Sequence, residues 1–268
     1  MVSCRTATDV LAYDFMRAAF AAGGIVAVLA GLVGYMLVLR GQTFAGHALS
    51  HVGFTGATGA VLLGVPPLWG MALATLVAGA GMGWLGAGLA QRDVAIGMIL
   101  ALALGLGLLF LHYFTAFATQ ATALLFGNVL GVDATVLAGL AGLAVVSLAG
   151  LALIARPLLF ATLLPEVAEA RGVPVRLLDT LFLAIVALAT AACTQVVGVL
   201  LVFTLLVGPA AAAQRLTARL LPGLALSGAL ALAEAWGGIA LSWYTDWPTS
   251  VWITLLSAAA YAASTALR

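Results

Sequence analysis

The chain has 268 residues, 65% of them hydrophobic and only 7% charged, with a formal net charge of +1. Soluble domains carry about 25% charged residues, so the composition excludes a water-soluble globular protein, and the near-neutral balance excludes a nucleic-acid binder. The two cysteines, Cys4 and Cys193, are distant and unaccompanied, which argues against a disulfide framework or a cysteine-based metal centre.

The apolar runs are about 20 residues long, enough for an α-helix to cross a bilayer and too long for barrel strands. In chain order they predict spans at 17–39, 44–64, 68–90, 94–112, 134–155, 178–194, 196–213, 223–241 and 250–267. The fold class is an all-α integral membrane protein, a polytopic bundle of eight or nine transmembrane helices forming a single domain over 1–268. A re-entrant first segment would leave eight spans. The start, MVSCRTATDVLAYDF, lacks the charged head, short apolar core and cleavage site of a signal peptide. Thr194 and Gln195 would have to make a very tight turn between the sixth and seventh spans. Small residues at spacing four in GAGMGWLGAG (79–88) suit close helix packing.

Arginine placement predicts orientation. Arg40, Arg92, Arg156, Arg171, Arg176, Arg215, Arg219 and Arg268 lie in alternate connections or at the C-terminus on the same side. The positive-inside rule puts that side in the cytoplasm. Only Arg5 and Arg17 lie opposite, so nine spans put the N-terminus outside. Trp69, Tyr113, Trp243, Tyr244 and Trp247 cluster in the outward connections, where interfacial rings are favoured. The chain has no lysine. A P-loop needs one to reach nucleotide phosphates, so any ATP that drives this protein binds to another subunit.

Two regions carry chemistry. The first is TFAGHALSHVGFTGATG, 43–59. At 100° per residue His47 and His51 lie about 40° apart, one turn above the other. Thr43, Ser50, Thr55 and Thr58 fall with them in an arc of roughly 140°. A polar stripe on a spanning helix should face a bundle interior or a watery conduit. Paired imidazoles at i and i+4 can hold one divalent ion, and neutral imidazole suits zinc better than manganese. The bland reading is that each histidine hydrogen-bonds a neighbouring helix. Glu234, a carboxylate well inside a span, is a candidate third ligand or gate. His112 sits at a span's outer end, while Gln195 and Thr204 are candidate path or packing polars.

The second region is the connection 156–177 with its continuation, RPLLFATLLPEVAEARGVPVRLLD. Pro165 suits a first helical turn, Glu166 and Glu169 favour the N-terminal end, and Gly172 with Pro174 stops the helix. PEVAEA should therefore form a short amphipathic helix outside the bilayer, either a bare surface helix or a docking element.

Together these regions resemble the permease subunits of bacterial metal-ion ABC importers, the zinc/manganese/iron uptake family. The resemblance covers about 15–265 and rests on LRGQTFAGHALSHVGFTGA (39–57), LLFGNVLGV (124–132), PEVAEARGVPV (165–175), VVGVLLVFTLLVGPAAAAQRL (196–216) and DWPTS (246–250). His51 matches the family's metal-contacting histidine. His47 stands where the family commonly has Asp, an exchange that shifts preference toward zinc.

The resemblance implies a type II ABC importer-like permease in a bacterial inner membrane, with no catalytic residues and no tightly bound cofactor. Its cargo would be a divalent transition metal, Zn²⁺ favoured over Mn²⁺ or Fe²⁺. The implied partners are a second permease copy, two ATPase subunits that bind the ATP, an extracytoplasmic metal-binding protein and membrane lipid. Pro165, Glu166, Glu169 and Ala170, with Arg171, Gly172 and Val173, would form a coupling helix on the ATPases. Ser50, Thr55 and Thr58 would line the path, and Gly208 with Pro209 would be a hinge. The alternatives are a stand-alone proton-coupled secondary transporter with Glu234 as carrier, and a channel-like structural subunit without a metal site.

Overall fold

The computed structural model describes residues 13–85, 89–113 and 125–266, with backbone alone at 89–92. Cys4, Arg5, Arg268, the side chain of Arg92, Leu124 and the 86–88 part of the third predicted span lie outside the described residues. Among the described residues, nine long helices and one short one follow in order: α1 (Asp14–Leu39), α2 (Thr43–Leu62), α3 (Pro67–Leu85), α4 (Leu89–Tyr113), α5 (Ala134–Leu163), α6 (Pro165–Ala170), α7 (Val175–Val197), α8 (Val202–Leu216), α9 (Leu220–Thr245) and α10 (Thr249–Ala266). A single 3₁₀ turn, Val129–Gly131, precedes α5.

The long helices correspond one to one with the nine predicted spans. Six of them (α1, α3, α4, α5, α7 and α9) are long and apolar enough on their own to cross a membrane. The other three fall short for physical reasons. α2 carries the polar stripe, α8 has only 15 residues, and α10 is interrupted by serine and threonine. α1 has 26 residues, about 39 Å at 1.5 Å per residue. It is a full span, not a re-entrant segment. Tyr13 and Phe15 at its start reach Trp243 at the end of α9, with ring centroids 5.6 and 6.4 Å apart. The N-terminal end of α1 therefore belongs to the aromatic-rich end of the bundle, opposite the arginine-rich end.

α1 and α7 form the centre. Of their most apolar stretches, 67% and 72% are buried, against 17% for α4. α2, α3 and α4 pack as one flank, with α3 lying along α7; α8, α9 and α10 pack as the other, against α1. The expected role of the small residues in 79–88 is visible on α3. A Cβ on Gly79 would stand 2.6 Å from the Leu183 carbonyl oxygen, and one on Gly83 would stand 2.5 Å from Thr180 Cα. Only glycine lets the two backbones approach so closely.

Three boundaries differ from the sequence reading. The sixth span does not turn at Thr194 and Gln195. α7 continues to Val197, and the turn falls at Gly198–Leu201, where Gly198 has φ +88°. Glycine adopts that conformation without the strain other residues meet, whereas Thr194 stays helical and donates its hydroxyl to the Thr190 carbonyl at 2.7 Å. α5 runs through Pro157 to Leu163, eight residues beyond the predicted end. A proline inside a helix costs about 3 kcal/mol. Here Leu158 and Ala161, both buried, pack the extension onto the core and offset that loss. α4 begins at Leu89, so Asp93, read as part of a loop, is helical.

Local sequence explains several ends. Asp133 caps α5 by accepting from the Val136 amide at 2.7 Å. That bond, with one from the Thr135 hydroxyl, holds the exposed carboxyl below the ordinary carboxylate value. α6 begins with Pro165 in its first turn and ends in a Schellman motif. There the Val173 amide donates to Ala168 and the Gly172 amide to Glu169, at 3.0 and 2.9 Å, with Gly172 at φ +75°.

Candidate functional site

α2 starts immediately after the turn at Arg40–Gln42, where Gly41 has φ +64°. His47 and His51 sit one turn apart, their rings perpendicular with centroids 4.9 Å apart, and both are half-buried. Phe44 stacks on His47 at 6.4 Å, and Phe203 of α8 meets it edge-on at 5.6 Å. Tetrahedral zinc with nitrogens at about 2.0–2.1 Å would hold two imidazole centres about 5 Å apart. The pair is thus close to the spacing a shared divalent ion requires.

The rest of the polar arc behaves differently. Ser50, Thr55 and Thr58 are buried, and their hydroxyls are spent on carbonyls. Ser50 donates to His47 at 2.7 Å, Thr55 to Ala103 of α4 at 2.6 Å, and Thr58 to Phe54 and Thr55 at 3.0 Å each. Such back-bonding satisfies hydroxyls within a packed helix. All three hydroxyls, expected to line a path, are engaged within the helix packing here. Thr55 also borders a 720 Å³ cleft between α2, α3 and α4, but its other walls are apolar residues such as Val52, Leu73, Leu102 and Phe110, suited to acyl chains and not to an ion.

Glu234 does not join the histidines. It is buried on α9 beside Ser257 of α10, on the flank opposite α2. Among the described residues no group of three or more His, Cys, Asp or Glu gathers to hold a metal. Within this one chain, Glu234 is therefore not gathered with His47 and His51 into a three-residue group. Gly208 belongs to the Glu234 cluster, because a Cβ there would collide with Ser257 Oγ. α8 passes unbroken through Pro209, so Gly208 works as a contact between α8 and α10. His112 is exposed at the end of α4 against Tyr113, with centroids 5.7 Å apart.

At the arginine-rich end, α6 projects from the hairpin formed by α5 and α7. Pro165, Glu166, Glu169, Ala170, Arg171 and Gly172 are exposed, while Ala168 is buried and Val173 half-buried against the core. Beneath this hairpin lies a feature the sequence reading missed. Arg40, treated only as a topology marker, forms an ion pair with Asp179 of α7, their side chains 7% and 9% exposed. The same guanidinium donates to Thr162 Oγ1 and, at 3.4 Å, to the Leu158 carbonyl, both on α5. It also lies over the Phe182 ring at 5.3 Å. Removing one partner of such a buried pair typically costs about 3–5 kcal/mol, because the other charge is stranded. The available signal was a lone carboxylate, Asp179, at the edge of a predicted span.

A second missed feature joins two distant motifs. Gly127 (φ +83°) and Gly198 (φ +88°) meet so closely that a Cβ on either would collide with the other's segment, and the Leu200 amide donates to Leu125 at 3.3 Å. Both motifs figured in the family resemblance, but nothing in either predicted that they touch.

Comparison with known proteins gives a consistent picture. The family described as "ABC 3 transport family" matches residues 12–268. The manganese transport system membrane protein MntC of Halalkalibacterium halodurans is 30% identical over 255 residues, covering 95% of this chain and 87% of that protein. The "Probable iron transport system membrane protein" of Haemophilus influenzae is 30% identical over 252 residues, covering 93% and 92%. The solved structure of PsaBC from Streptococcus pneumoniae in complex with Fab contains a chain with TM-score 0.85 and 25% identity, covering 96% of this chain and 93% of that one.

Proposed function

The chain belongs to the ABC 3 transport family, as a multi-pass permease of a bacterial inner-membrane metal-ion ABC importer, and from that premise we propose that it passes Zn²⁺ along the imidazole face of α2. The carrying observation is the His47–His51 pair, with ring centres 4.9 Å apart on a half-buried face. Relatives are named for manganese and iron. The reading departs from those names because two neutral nitrogens suit zinc, whereas manganese prefers oxygen donors. Two protein ligands and water make a weak site, which suits transit: an ion that enters must also leave.

In this reading 1–268 is one permease domain that works as a homodimer and hydrolyses nothing itself. Two ATPase subunits bind ATP and dock on the coupling helix, α6, through Glu166 and Glu169, with the following turn at Arg171–Val173 completing the contact. An extracytoplasmic metal-binding protein delivers the ion at the aromatic-rich end. Nucleotide binding shifts the permease between outward and inward access, which requires that the two states differ in their contacts with nucleotide or ion.

The test is ATP-dependent uptake of Zn²⁺, Mn²⁺ and Fe²⁺ into vesicles holding the permease with its ATPase and binding protein. The expected result is uptake with zinc preferred. Equal or greater preference for manganese would overturn the zinc assignment, and uptake sustained by a proton gradient without ATP would favour a secondary transporter.

A further inference from the structure

We propose that Arg40 is a positioning residue that ties the hairpin bearing α6 to the histidine helix, so that movement of the docking loop is delivered to the metal path. This rests on the reading of α6 as the ATPase contact and adds a residue and a route to it.

The argument is geometric. α6 is held by two arms, the end of α5 and the start of α7, with one residue, Leu164, before it and 171–174 after it. Any pull on α6 must move those arms. The Arg40 guanidinium grips both: Thr162 and Leu158 on α5, and Asp179 with the Phe182 ring on α7. A planar guanidinium with several fixed donors can bridge two helices at once, whereas an ammonium is a point charge.

The other end of the link is short and stiff. Arg40 caps α1 by donating its backbone N–H to the Met36 carbonyl, and the Gln42 N–H donates to the Leu37 carbonyl, both at 3.0 Å. Gln42 is buried and its carbonyl accepts from Ala45 in the first turn of α2, also at 3.0 Å. His47 follows in the second turn. From the guanidinium to the metal-facing imidazoles the path runs through one hydrogen-bonded turn, with no loop to absorb motion. Gly41, at φ +64° with open space around it, is the one compliant point in this turn.

Nothing about folding alone requires this arrangement. A buried ion pair contributes little net stability compared with apolar packing, and Arg40 could have remained at the surface like Arg171 and Arg176, which are exposed.

The test uses the complete importer, permease with ATPase and binding protein, in vesicles. It measures Zn²⁺ taken up per ATP hydrolysed and, separately, ATPase retained on purification. Asp179→Asn keeps the shape and an acceptor oxygen but removes the charge. It should retain bound ATPase and ATP hydrolysis while uptake per ATP falls about five- to tenfold, within the usual span of coupling between distant sites. Arg40→Lys should uncouple similarly, and Thr162→Val, which removes one anchor on α5, should do so less. The charge reversal Arg40→Asp with Asp179→Arg should recover part of the lost coupling. If Asp179→Asn fails to assemble, Thr162→Val and Arg40→Lys decide the matter. Normal uptake per ATP in assembled variants would overturn the inference and leave the importer reading standing. Wild-type vesicles that hydrolyse ATP without moving metal would instead overturn the importer reading, and this inference with it.

Discussion

Two polar intrusions into the bilayer-spanning bundle, the imidazoles on α2 and the carboxylate on α9, differ in access more than in chemistry. His47 and His51 are half-buried, with Phe44 and Phe203 beside them. Glu234 is 4% exposed, sealed between α9 and α10 beside Ser257. An ionisable residue in a span is a functional hypothesis by default, and both sites satisfied that rule in the sequence. The comparison shows that the same sequence signal can end in two environments, a half-buried face for the imidazoles and a buried helix contact for the carboxylate.

Four substitutions would break or sharpen this contrast. The largest effect is expected from His51→Ala, which removes one of the two nitrogen donors. Zinc uptake should fall by about tenfold or more, equivalent to at least about 1.4 kcal/mol of lost interaction. Wild-type uptake in that variant would place the path elsewhere. Next is His47→Asp, which restores an oxygen donor and a negative charge. The ratio of manganese to zinc uptake should rise several-fold, and an unchanged ratio would show that His47 does not contact the ion.

The third substitution addresses the sealed side. Gly208→Ala forces a methyl group against Ser257 Oγ. It should destabilise the α8–α10 contact by about 1–3 kcal/mol, read as a lower melting temperature of the purified permease. Unchanged stability would mean that α10 yields easily there. The smallest effect is expected from Glu234→Gln, which keeps the shape and removes the ionisable proton. Relative uptake of Zn²⁺, Mn²⁺ and Fe²⁺ should stay within about twofold of wild type, since this carboxylate is buried and is not gathered with the imidazoles. A changed order of metals would bring Glu234 back into the path and erase the contrast.

Local signals were read well from sequence where one helix or one turn carried the whole pattern. The register of His47 and His51 follows from helical geometry alone. The short helix at 165–170 and its stop at Gly172 follow from proline, acidic residues and glycine at fixed offsets. Errors arose where a pattern had two outcomes of similar energy. The predicted span ends at 155, before Arg156, yet burial of Leu158 and Ala161 carries α5 on to Leu163. Thr194 and Gln195 looked like a polar break, yet a threonine can satisfy its hydroxyl inside a helix, and Gly198 offered a better turn.

Composition and periodicity thus determined by themselves that this chain lives in a membrane, crosses it about nine times, carries most of its arginines at one end and presents two imidazoles on one helical face. These are properties of single segments, set by backbone geometry and by the cost of leaving polar groups in hydrocarbon. Only the tertiary structure decided which polar groups share a space. It separated Glu234 from the histidines, turned Ser50, Thr55 and Thr58 to backbone carbonyls, and joined Arg40 to Asp179 across 139 positions of chain. Such pairings depend on how helices pack around α1 and α7. Many packings would satisfy the same apolar surfaces, so no one-dimensional pattern could select among them.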